Sequence, residues 1–360
     1  MIINIISSSL LSNIAALSLN KYSDCNINMQ NNKLKTYSRY YSLNYFSKIF
    51  LENINVWEKL SPLKITPYKK IEIYRNEQQT ISFNANDIDI DSLGYIVSED
   101  ELSKAVSETL LESKSINYIK DQRMHSTLSN INIISDYSDV DSEVKSKHFV
   151  SESYNQTAIN INITHSNDNE NVPRQIFYKD EILGFLPTSN KTYNLIWTMP
   201  NKFFDQLSST NPNEYLKLIQ KRAQLILGEI EDLSIGQSFP LSSRHSDCYC
   251  YQNNILVGES AHKFHPLAGL GLNMGIEDIH VLSTLVSKYS EINVISREYV
   301  IKRIFRNSSL NHILNTIIKF HSFNLIPDFF RRIFLNIFDK SIILKAAAIR
   351  NATGFDNLIK

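Results

Sequence analysis

Glycine is scarce in this chain of 360 residues, and its distribution is the feature that most constrains the fold. Only nine glycines occur, yet four of them fall within eighteen positions, at Gly258, Gly269, Gly271 and Gly275. A chain uses glycine where a left-handed turn or a close approach to the backbone leaves no room for a side chain. The segment from residue 255 to residue 282 is therefore predicted to contain a functional loop.

The same segment has the pattern strand, glycine-rich loop, helix. Residues 255–257 are a short apolar run, Pro266 interrupts the loop, and apolar residues recur at helical spacing over 272–286. The amino end of a helix carries free N–H groups and partial positive charge. A flat or anionic ligand is therefore expected to lie against the backbone at this point.

Two other interpretations of the loop remain open. His262 and His265 are three residues apart, as two metal ligands on a helix can be. Pro266 breaks such a helix, however, and no third ligand stands nearby at the usual spacing. Alternatively, the glycines form a purely structural turn. Neither alternative accounts for the whole pattern, and no metal site is predicted.

Composition limits the class of protein. With 42% hydrophobic and 21% charged residues the chain can build a core, so an intrinsically disordered protein is excluded. Lys+Arg and Asp+Glu balance at 37 each, which gives no support for a nucleic-acid partner. Three cysteines are too few for a disulfide framework, and their number fits a reducing cytosol.

The first twenty residues carry no charge, and two interpretations of them are open. They could belong to a secretion signal or a membrane anchor, although the basic region of a signal is absent and serines and asparagines interrupt the apolar run. Alternatively, residues 2–6 form a buried strand and residues 10–21 a helix. With a second strand over 26–30, this arrangement would open a βαβ unit.

Periodicity predicts a mixture of helices and strands along the rest of the chain. Helices are predicted over residues 43–60, 99–112 and 213–227, and strands over 70–74, 80–83, 158–164, 175–178 and 193–198. Helical patterns dominate from Gly271 onward. The chain is therefore predicted to be an α/β protein with a strand-rich middle and a helical end.

Residues 258–278 resemble the signature of the flavin-dependent aromatic hydroxylases of ubiquinone biosynthesis, G-D-A-A-H-x-x-H-P-x-A-G-Q-G-x-N-x-G-x-x-D. Eleven residues match in register, namely Gly258, Ala261, His262, His265, Pro266, Ala268, Gly269, Gly271, Asn273, Gly275 and Asp278. The chain departs from the signature at Glu259, Ser260 and Leu270. Shorter landmarks, such as Tyr-Asn-Gln-Thr-Ala at residues 154–158, extend the resemblance over nearly the full length.

The resemblance implies an α/β fold. A Rossmann-like FAD-binding domain of the p-hydroxybenzoate hydroxylase type would be interleaved with a substrate domain built on a mixed or antiparallel sheet, followed by C-terminal helices. The expected FAD-binding domain is discontinuous and comprises residues 1–60, 91–145 and 241–290. Residues 61–90 and 146–240 would form the substrate domain, and 291–360 the helical region.

The resemblance also assigns residues to the flavin end of the cofactor. The acidic residue after the first glycine holds the ribityl chain of FAD in that family, and here it is Glu259, one methylene longer than the usual aspartate. Backbone amides near Leu272 and Asn273 would face the O2/N1 edge of the ring. The other residues expected to line it are Gly258, Pro266, Ala268, Gly269 and Gly271. The ring and its chain would then explain why side chains are missing here.

The pyrophosphate of FAD binds in that family at a G-x-G-x-x-G turn between the first strand and the first helix. In this chain each of the three glycines is a serine: Ser7, Ser9 and Ser12. The side chain of Ser9 would point into the space that the pyrophosphate fills. A hydroxyl can also donate to phosphate, so the net effect on affinity is open.

Three further contacts are assigned by resemblance. Gln30 stands where the family has a ribose-binding glutamate, and it retains an acceptor oxygen without the charge. Arg39 matches the family's early arginine over the cofactor. The mid-chain Asp-Gly pair has become Ser138 and Asp139. The flavin-end loop is therefore retained, while the contacts to the adenosine end are altered.

The activity implied by the resemblance is hydroxylation of the aromatic ring of a polyprenylated ubiquinone precursor, with FAD as cofactor and NAD(P)H and O2 as co-substrates. No metal and no catalytic triad is implied, and no catalytic residue is assigned. The serines at 7, 9, 12 and 138 support a second hypothesis. In it, the chain is a non-catalytic homologue that binds FAD weakly and acts as a structural subunit of the ubiquinone-biosynthesis complex.

The C-terminal region is basic. The last seventy residues hold eleven Lys/Arg against five Asp/Glu, and residues 329–338 place Arg331 and Arg332 among apolar side chains. Such a segment suits a helix that lies at a membrane surface. Alternatively, these helices only pack against the FAD-binding domain. The expected location is the cytoplasm, peripheral at the inner face of the membrane and among other ubiquinone-biosynthesis proteins.

Overall fold

The computed structural model describes residues 1–30, 39–75, 78–113, 115–119, 131–166, 170–209, 212–266, 269–322 and 335–357. The strands in chain order are β1 (Ile2–Ile5), β2 (Asn26–Gln30), β3 (Tyr40–Asn44), β4 (Ile65–Tyr68), β5 (Lys70–Arg75), β6 (Gln78–Asn84), β7 (Gly94–Ser98), β8 (Ile116–Ile119), β9 (Ile131–Ile134), β10 (Phe149–His165), β11 (Arg174–Phe177), β12 (Ile182–Ser189), β13 (Thr192–Pro200), β14 (Ile230–Ser246), β15 (Cys250–Tyr251), β16 (Asn254–Leu256) and β17 (His262–Lys263). The helices are α1 (Leu10–Tyr22), α2 (Tyr45–Asn53), α3 (Glu99–Glu112), α4 (Ser142–His148), α5 (Asn201–Ser208), α6 (Pro212–Leu227), α7 (Gly271–Lys288), α8 (Ile292–Ser322) and α9 (Ile342–Thr353).

The first strand lies inside a six-stranded sheet with the order β15-β16-β9-β1-β2-β8. All neighbouring strands run parallel except β15 and β16. Ile3 and Ile5 of β1 are fully buried, as expected for a parallel sheet that is covered on its faces. α1 packs against α3 and α7. The strand-turn-helix interpretation of the first residues is therefore confirmed.

An asparagine ladder crosses this sheet. One asparagine from each of five parallel strands takes part, in the order Asn117, Asn28, Asn4, Asn132 and Asn254. The side-chain N–H group of each asparagine donates to the side-chain oxygen of the next one in this order. The four distances, from Asn117 to Asn254, are 3.4, 3.0, 3.3 and 3.1 Å. Asn4, at the centre, is fully buried. The ladder favours a single register, because a slip of one strand would leave buried amides without partners.

A second, eight-stranded sheet has the order β17-β14-β10-β13-β12-β11-β5-β6. It is mixed, since β11 and β5 are parallel and the other neighbours are antiparallel. α6 contributes Ile219 and Ala223 to the core on this sheet, which includes the fully buried Trp197. The Trp197 indole N–H donates to Glu181 at 3.0 Å, so its polar atom is satisfied. The expected mixed sheet is confirmed.

The helix predicted over residues 43–60 is shorter in the structure. β3 continues through Asn44, whose side chain caps α2 by accepting the Ser47 N–H at 2.8 Å. α2 ends at Asn53, and Asn55 adopts a left-handed φ of 59°, which asparagine tolerates. The prediction was wrong at both ends because apolar spacing continues past them. The other predicted helices and strands match observed elements to within one residue or lie inside them.

α7 packs against α1 and α8, and both α7 and α8 contribute side chains to the hydrophobic core that includes the parallel sheet. Tyr299 of α8 is fully buried and donates its hydroxyl to the Leu256 carbonyl at 2.9 Å. Within the described ranges, no helix is both long and apolar enough to cross a bilayer. Most of the basic segment predicted at 329–338, including Arg331 and Arg332, lies outside the described residues. Phe338 is described, and its ring lies 6.2 Å from that of Phe83 in β6.

The asparagine ladder predicts unequal effects for two matched substitutions. Asn4→Ala leaves the Asn28 amide and the Asn132 oxygen without their partners, and we expect it to lower the free energy of unfolding by about 1–3 kcal/mol. Asn117→Ala removes one bond at the exposed end of the ladder, and we expect a loss below about 0.5 kcal/mol. Urea unfolding measures both. Equal losses would show that the ladder adds nothing beyond its individual bonds.

Candidate functional site

The carboxyl ends of the parallel strands bring the predicted site residues to one edge of the sheet. β1 leads into Ser7, β2 ends at Gln30, and β16 leads through Val257 into a short 3-10 helix at Gly258–Ser260. Strands that run parallel end at the same edge, where α/β proteins commonly bind their ligands. β9 ends beside them and adds Ser135, which the sequence did not predict. We call this the carboxyl edge.

Hydroxyl groups hold the turn between β1 and α1. Ser7 Oγ accepts the backbone N–H groups of Ser135 and Asp136, each at 3.0 Å. Ser9 caps α1 by accepting the Ser12 N–H at 3.1 Å. Ser9 Oγ also lies 2.7 Å from Ser135 Oγ, which lies 2.6 Å from Ser12 Oγ. The three predicted serines therefore form one network with Ser135, and Ser7 and Ser12 are buried within it.

The glycines of the loop have two different causes. A Cβ atom at Gly258 would lie 2.1 Å from Leu11 Cδ2, and one at Gly275 would lie 2.7 Å from the same atom. At these two positions α1 itself leaves no room for a side chain, and Gly258 also has a left-handed φ of 58°. That a ligand excludes side chains there stays a prediction. Gly269 requires glycine for its φ of 59°. A Cβ at Gly271 would meet no atom of the described residues within 4 Å, so these residues leave open space at this end of the loop.

A buried carboxylate, Asp278 of α7, holds the loop in place. Its Oδ2 accepts the Gly258 N–H at 2.8 Å and lies 2.7 Å from His262 Nε2, while Arg303 Nε of α8 donates to its Oδ1. Burial alone would raise the pKa of Asp278, but the nearby Arg303 charge, His262 and the Gly258 N–H hold that pKa well below its usual range. The loop, α7 and α8 are therefore joined through one charged group.

The two histidines of the loop contact different partners. His262 is bonded to Asp278 and stacks on the Phe264 ring at 4.7 Å. The ring of His265 meets that of Tyr154 edge-on at 4.8 Å, and burial lowers the pKa of His265 to about 4. No group of three His, Cys, Asp or Glu side chains in the described part of the chain is placed to hold a metal ion.

The amino end of α7 faces the open space beside Gly271. Leu270 precedes the helix, and its apolar side chain does not cap the first N–H groups. The Asn273 side chain is fully used: its oxygen accepts from Asn44 N and Ser47 Oγ, and its amide donates to Ser42 O and Gly269 O. Any contribution of Asn273 to a ligand therefore comes from its backbone N–H. Leu272 beside it is partly buried.

The remaining predicted residues are placed as follows. Glu259 is exposed, and its carbonyl accepts from Arg244 at 3.1 Å. Arg39 forms two hydrogen bonds with Glu99, at 3.0 and 2.7 Å. Ser138 is exposed and donates to Asp136 at 2.8 Å. The other predicted residues are Gln30, at the end of β2, Pro266, which is partly buried, and Ala268, which lies outside the described residues.

Three structural partners of the site escaped sequence reasoning. Leu11 explains two glycines, Ser135 completes the serine network, and Arg303 balances Asp278. Each lies between 25 and 264 residues from the group it meets. The sequence indicates that Leu11 lies in the first turn of α1. It does not indicate which residues pack against the Leu11 side chain.

These features fit FAD at its flavin end. The N–H groups at the start of α7, which the Leu270 side chain does not cap, suit the electron-rich carbonyl edge of a flat ring, and no described atom lies within 4 Å of a Cβ built at Gly271. Gln30, at the end of β2, lies at the same edge and offers an acceptor. At the amino end of α1, a side chain already caps the helix. The two ends of the site therefore differ.

Comparison with known proteins supports the same cofactor. A family model described as "FAD binding domain" matches residues 120–291. The 3-demethoxyubiquinol 3-hydroxylase of Escherichia coli (strain K12) is 25% identical over 329 residues, which are 84% of this chain and 84% of that protein. Ubiquinone hydroxylase UbiM of Neisseria meningitidis is 18% identical over 89% of this chain and 73% of its own length. The chain therefore contains a segment that matches an FAD-binding domain, and its sequence is similar to the hydroxylases of ubiquinone biosynthesis.

Solved structures show that this chain has the expected fold. The p-nitrophenol 4-monooxygenase PnpA of Pseudomonas putida superimposes with a TM-score of 0.75 at 12% identity, over 99% of this chain and 97% of that one. Klebsiella pneumoniae HpxO, solved with FAD and uric acid, gives a TM-score of 0.71 at 13% identity, over 98% and 97%. The α/β fold of the p-hydroxybenzoate hydroxylase type is therefore confirmed.

The contact between Leu11 and Gly275 predicts a coupled pair of mutations. In the wild-type hydroxylase, Gly275→Ala places a Cβ against Leu11, and we expect a loss of about 1–3 kcal/mol of unfolding free energy. In a Leu11→Ala background the obstacle is gone, so alanine's higher helix propensity makes Gly275→Ala neutral or stabilising. A double-mutant cycle in urea measures the coupling. An equal cost in both backgrounds would contradict this account of the glycine.

Asp278 predicts a specific acid dependence of stability. Because its pKa is depressed in the folded state, the carboxylate contributes stability above its unfolded-state pKa of ~3.9, and this contribution is lost as the pH falls below that value. Asp278→Asn removes one of the two buried carboxylates that pair with Arg303, the other being Glu277, and we expect a loss of about 1–3 kcal/mol at pH 7. Urea unfolding between pH 7 and pH 3 should also show a shallower acid decline. Asp91→Asn, at an exposed position, is the control, and an acid decline as steep in Asp278→Asn as in the wild type would contradict the assignment.

Proposed function

We propose that this hydroxylase adds one oxygen atom to the aromatic ring of a polyprenylated ubiquinone precursor, with NAD(P)H and O2 as co-substrates. NAD(P)H supplies two electrons, one oxygen atom of O2 enters the ring, and the other leaves as water. The names of the relatives support this substrate class, among them the Xenopus tropicalis ubiquinone biosynthesis monooxygenase COQ6, 20% identical over 67% of this chain and 65% of that protein. The observation that carries the proposal is the open, uncapped amino end of α7 beside Gly271.

Bound FAD would supply the redox chemistry, while the protein binds, orients and shields it. We propose that the backbone N–H groups at the start of α7, including those of Leu272 and Asn273, meet the carbonyl edge of the ring, where they would stabilise negative charge. Glu259 would hold the ribityl chain, and Gln30 a ribose hydroxyl. The remaining proposed cofactor contacts are Ser7, Ser9, Ser12, Arg39, Gly258, Pro266, Ala268, Gly269 and Gly271.

We propose that the eight-stranded sheet forms the substrate side, within residues 61–90 and 146–240, while 1–60, 91–145 and 241–290 bind the cofactor. A bulge in β10 supports this division. Pairing with β14 is interrupted between Ser153 and Thr157, and Asn155 takes a φ of 54°. From this bulge Tyr154 reaches the His265 ring and donates its hydroxyl to Asn315 of α8 at 2.6 Å. Bulges often redirect side chains next to active sites.

We also propose a peripheral membrane position for the C-terminal helices, within residues 291–360. The substrate carries a polyprenyl chain and would reside in the bilayer. Exposed apolar side chains support this position: Phe305 of α8 is 78% exposed, and Ile342 and Ile343 of α9 are 73% and 81% exposed. The cytoplasm, at the inner face of the membrane, and other ubiquinone-biosynthesis proteins as neighbours would follow from this placement.

A second candidate function is a structural subunit that binds FAD weakly and does not catalyse. The observation in its favour is the serine network, in which hydroxyls already occupy the turn that binds pyrophosphate in related folds. The two candidate functions differ in whether the protein must bind FAD and reduce it with NAD(P)H. The enzyme must reduce bound FAD with NAD(P)H, whereas the structural subunit needs neither bound flavin nor electron transfer.

Reconstitution tests the proposed function. We expect the purified protein, supplied with FAD, to show visible flavin absorption that NAD(P)H bleaches, and to convert a short-chain prenylphenol into a product heavier by one oxygen atom. Mass spectrometry identifies the product and an oxygen electrode measures its stoichiometry. No flavin uptake at saturating FAD, or bound flavin that NAD(P)H does not bleach, would favour the structural subunit. NAD(P)H oxidation without a hydroxylated product would contradict the proposed substrate class.

The variant Gly271→Val tests whether the flavin lies beside this residue. The structure leaves room for its side chain, so we expect the melting temperature of the cofactor-free protein to stay unchanged. If the flavin lies beside Gly271, the valine should weaken FAD binding by at least about tenfold, equivalent to ~1.4 kcal/mol. Unchanged FAD affinity would place the ring elsewhere.

A further inference from the structure

We propose that Ser9 competes with the pyrophosphate of the cofactor for the amino end of α1, so that this hydroxylase holds FAD exchangeably. The inference rests on the proposed cofactor site and concerns the strength of binding rather than the reaction. It decides between two opposite roles for the Ser9 hydroxyl, which could either donate to phosphate or obstruct it. The arrangement of protons around the turn favours obstruction.

Three hydroxyl groups form a closed ring at this turn, which we call the serine ring. Ser9 Oγ lies 2.7 Å from Ser135 Oγ, Ser135 Oγ lies 2.6 Å from Ser12 Oγ, and Ser12 Oγ lies 3.2 Å from Ser9 Oγ. Each hydroxyl has a single proton. Three contacts and three protons match one to one in either direction around the ring. No hydroxyl proton of the ring then remains for a phosphate oxygen.

Ser9 has no spare acceptor capacity either. Its oxygen accepts one proton within the serine ring and the Ser12 backbone N–H at 3.1 Å, which together use both lone pairs. The Ser12 N–H is one of the donors that the amino end of a helix offers to phosphate. A phosphate oxygen approaching this point therefore meets the lone-pair side of Ser9 and a helix donor that is already engaged.

Ser7 keeps the turn from moving aside. Its oxygen accepts two backbone N–H groups at the end of β9, from Ser135 and Asp136, each at 3.0 Å. The Ser7 and Ser12 side chains are buried. The turn is thus tied to β9 at two points, through Ser7 and through the serine ring. A pyrophosphate has to open the ring by rotating Ser9, which removes the helix cap and both hydroxyl contacts of Ser9.

Restoring the glycine of the family fingerprint tests this competition. Titration of the cofactor-free protein with FAD, followed by flavin fluorescence, gives the dissociation constant without any turnover. We expect Ser9→Gly to lower this constant about five- to tenfold, equivalent to ~1–1.4 kcal/mol. Ser135→Ala opens the ring and leaves the Ser9 and Ser12 hydroxyls with one contact and two protons, so one proton becomes available to phosphate and binding should also tighten. Both variants should remain folded, because glycine caps a helix nearly as well as serine.

Ser341→Gly is the matched control. Ser341 caps α9 by accepting the Leu344 N–H at 3.3 Å, so the same substitution is made at a helix cap away from the carboxyl edge. We expect its FAD dissociation constant to equal that of the wild type. Circular dichroism melting of each cofactor-free variant confirms that any change in affinity is not a change in folding.

Three results would overturn the inference, and they are distinguishable. Weaker FAD binding by Ser9→Gly would show that the hydroxyl donates to phosphate. Unchanged affinity in both Ser9→Gly and Ser135→Ala would show that the serine ring does not oppose the cofactor. An absence of FAD binding in the wild type and in every variant would remove both this inference and the proposed cofactor, whereas the first two results leave the proposed function intact.

Discussion

The position of the flavin loop depends on one buried ion pair, between Asp278 of α7 and Arg303 of α8. Removing a carboxylate from water is unfavourable unless a charge partner and hydrogen bonds replace the solvent. Arg303, His262 and the Gly258 N–H provide them. Because Gly258 also contacts Leu11, the same carboxylate locates α1 against the loop. Asp278 therefore helps to position the amino ends of α1 and α7, on either side of the site, and it need not contact the cofactor to do so.

The two ends of the site differ in whether the hydrogen-bond donors at the start of the helix are free or already satisfied. At the start of α7 the backbone is exposed, uncapped and free of side chains beside Gly271, so it offers donors to a ligand. At the start of α1 the serine ring satisfies the donors internally. Binding energy for a dinucleotide would then come mainly from the flavin end. Such an arrangement suits an enzyme whose cofactor exchanges. It also suits a structural role with weak FAD binding.

Polar networks recur through the interior of this protein. Parallel sheets are usually apolar on both faces, yet the asparagine ladder crosses five strands of this one. The Asn273 side chain makes four hydrogen bonds that join α7 to the β3–α2 connection. Each group is tolerated because its partners lie in register with it. These networks favour one arrangement of the strands and helices, since an alternative packing would leave several of the groups unsatisfied.

By itself the sequence determined the βαβ opening, most helices and strands, and the resemblance to the flavin-dependent hydroxylases, because periodicity and a signature matched at eleven positions are local patterns. It also located the serine turn. Only the tertiary structure decided that Leu11 accounts for Gly258 and Gly275, that Ser135 closes the serine ring, and that Arg303 balances Asp278. These contacts join elements far apart in the chain. Which elements meet is set by the packing of whole helices and strands, and a local window of sequence does not contain that information.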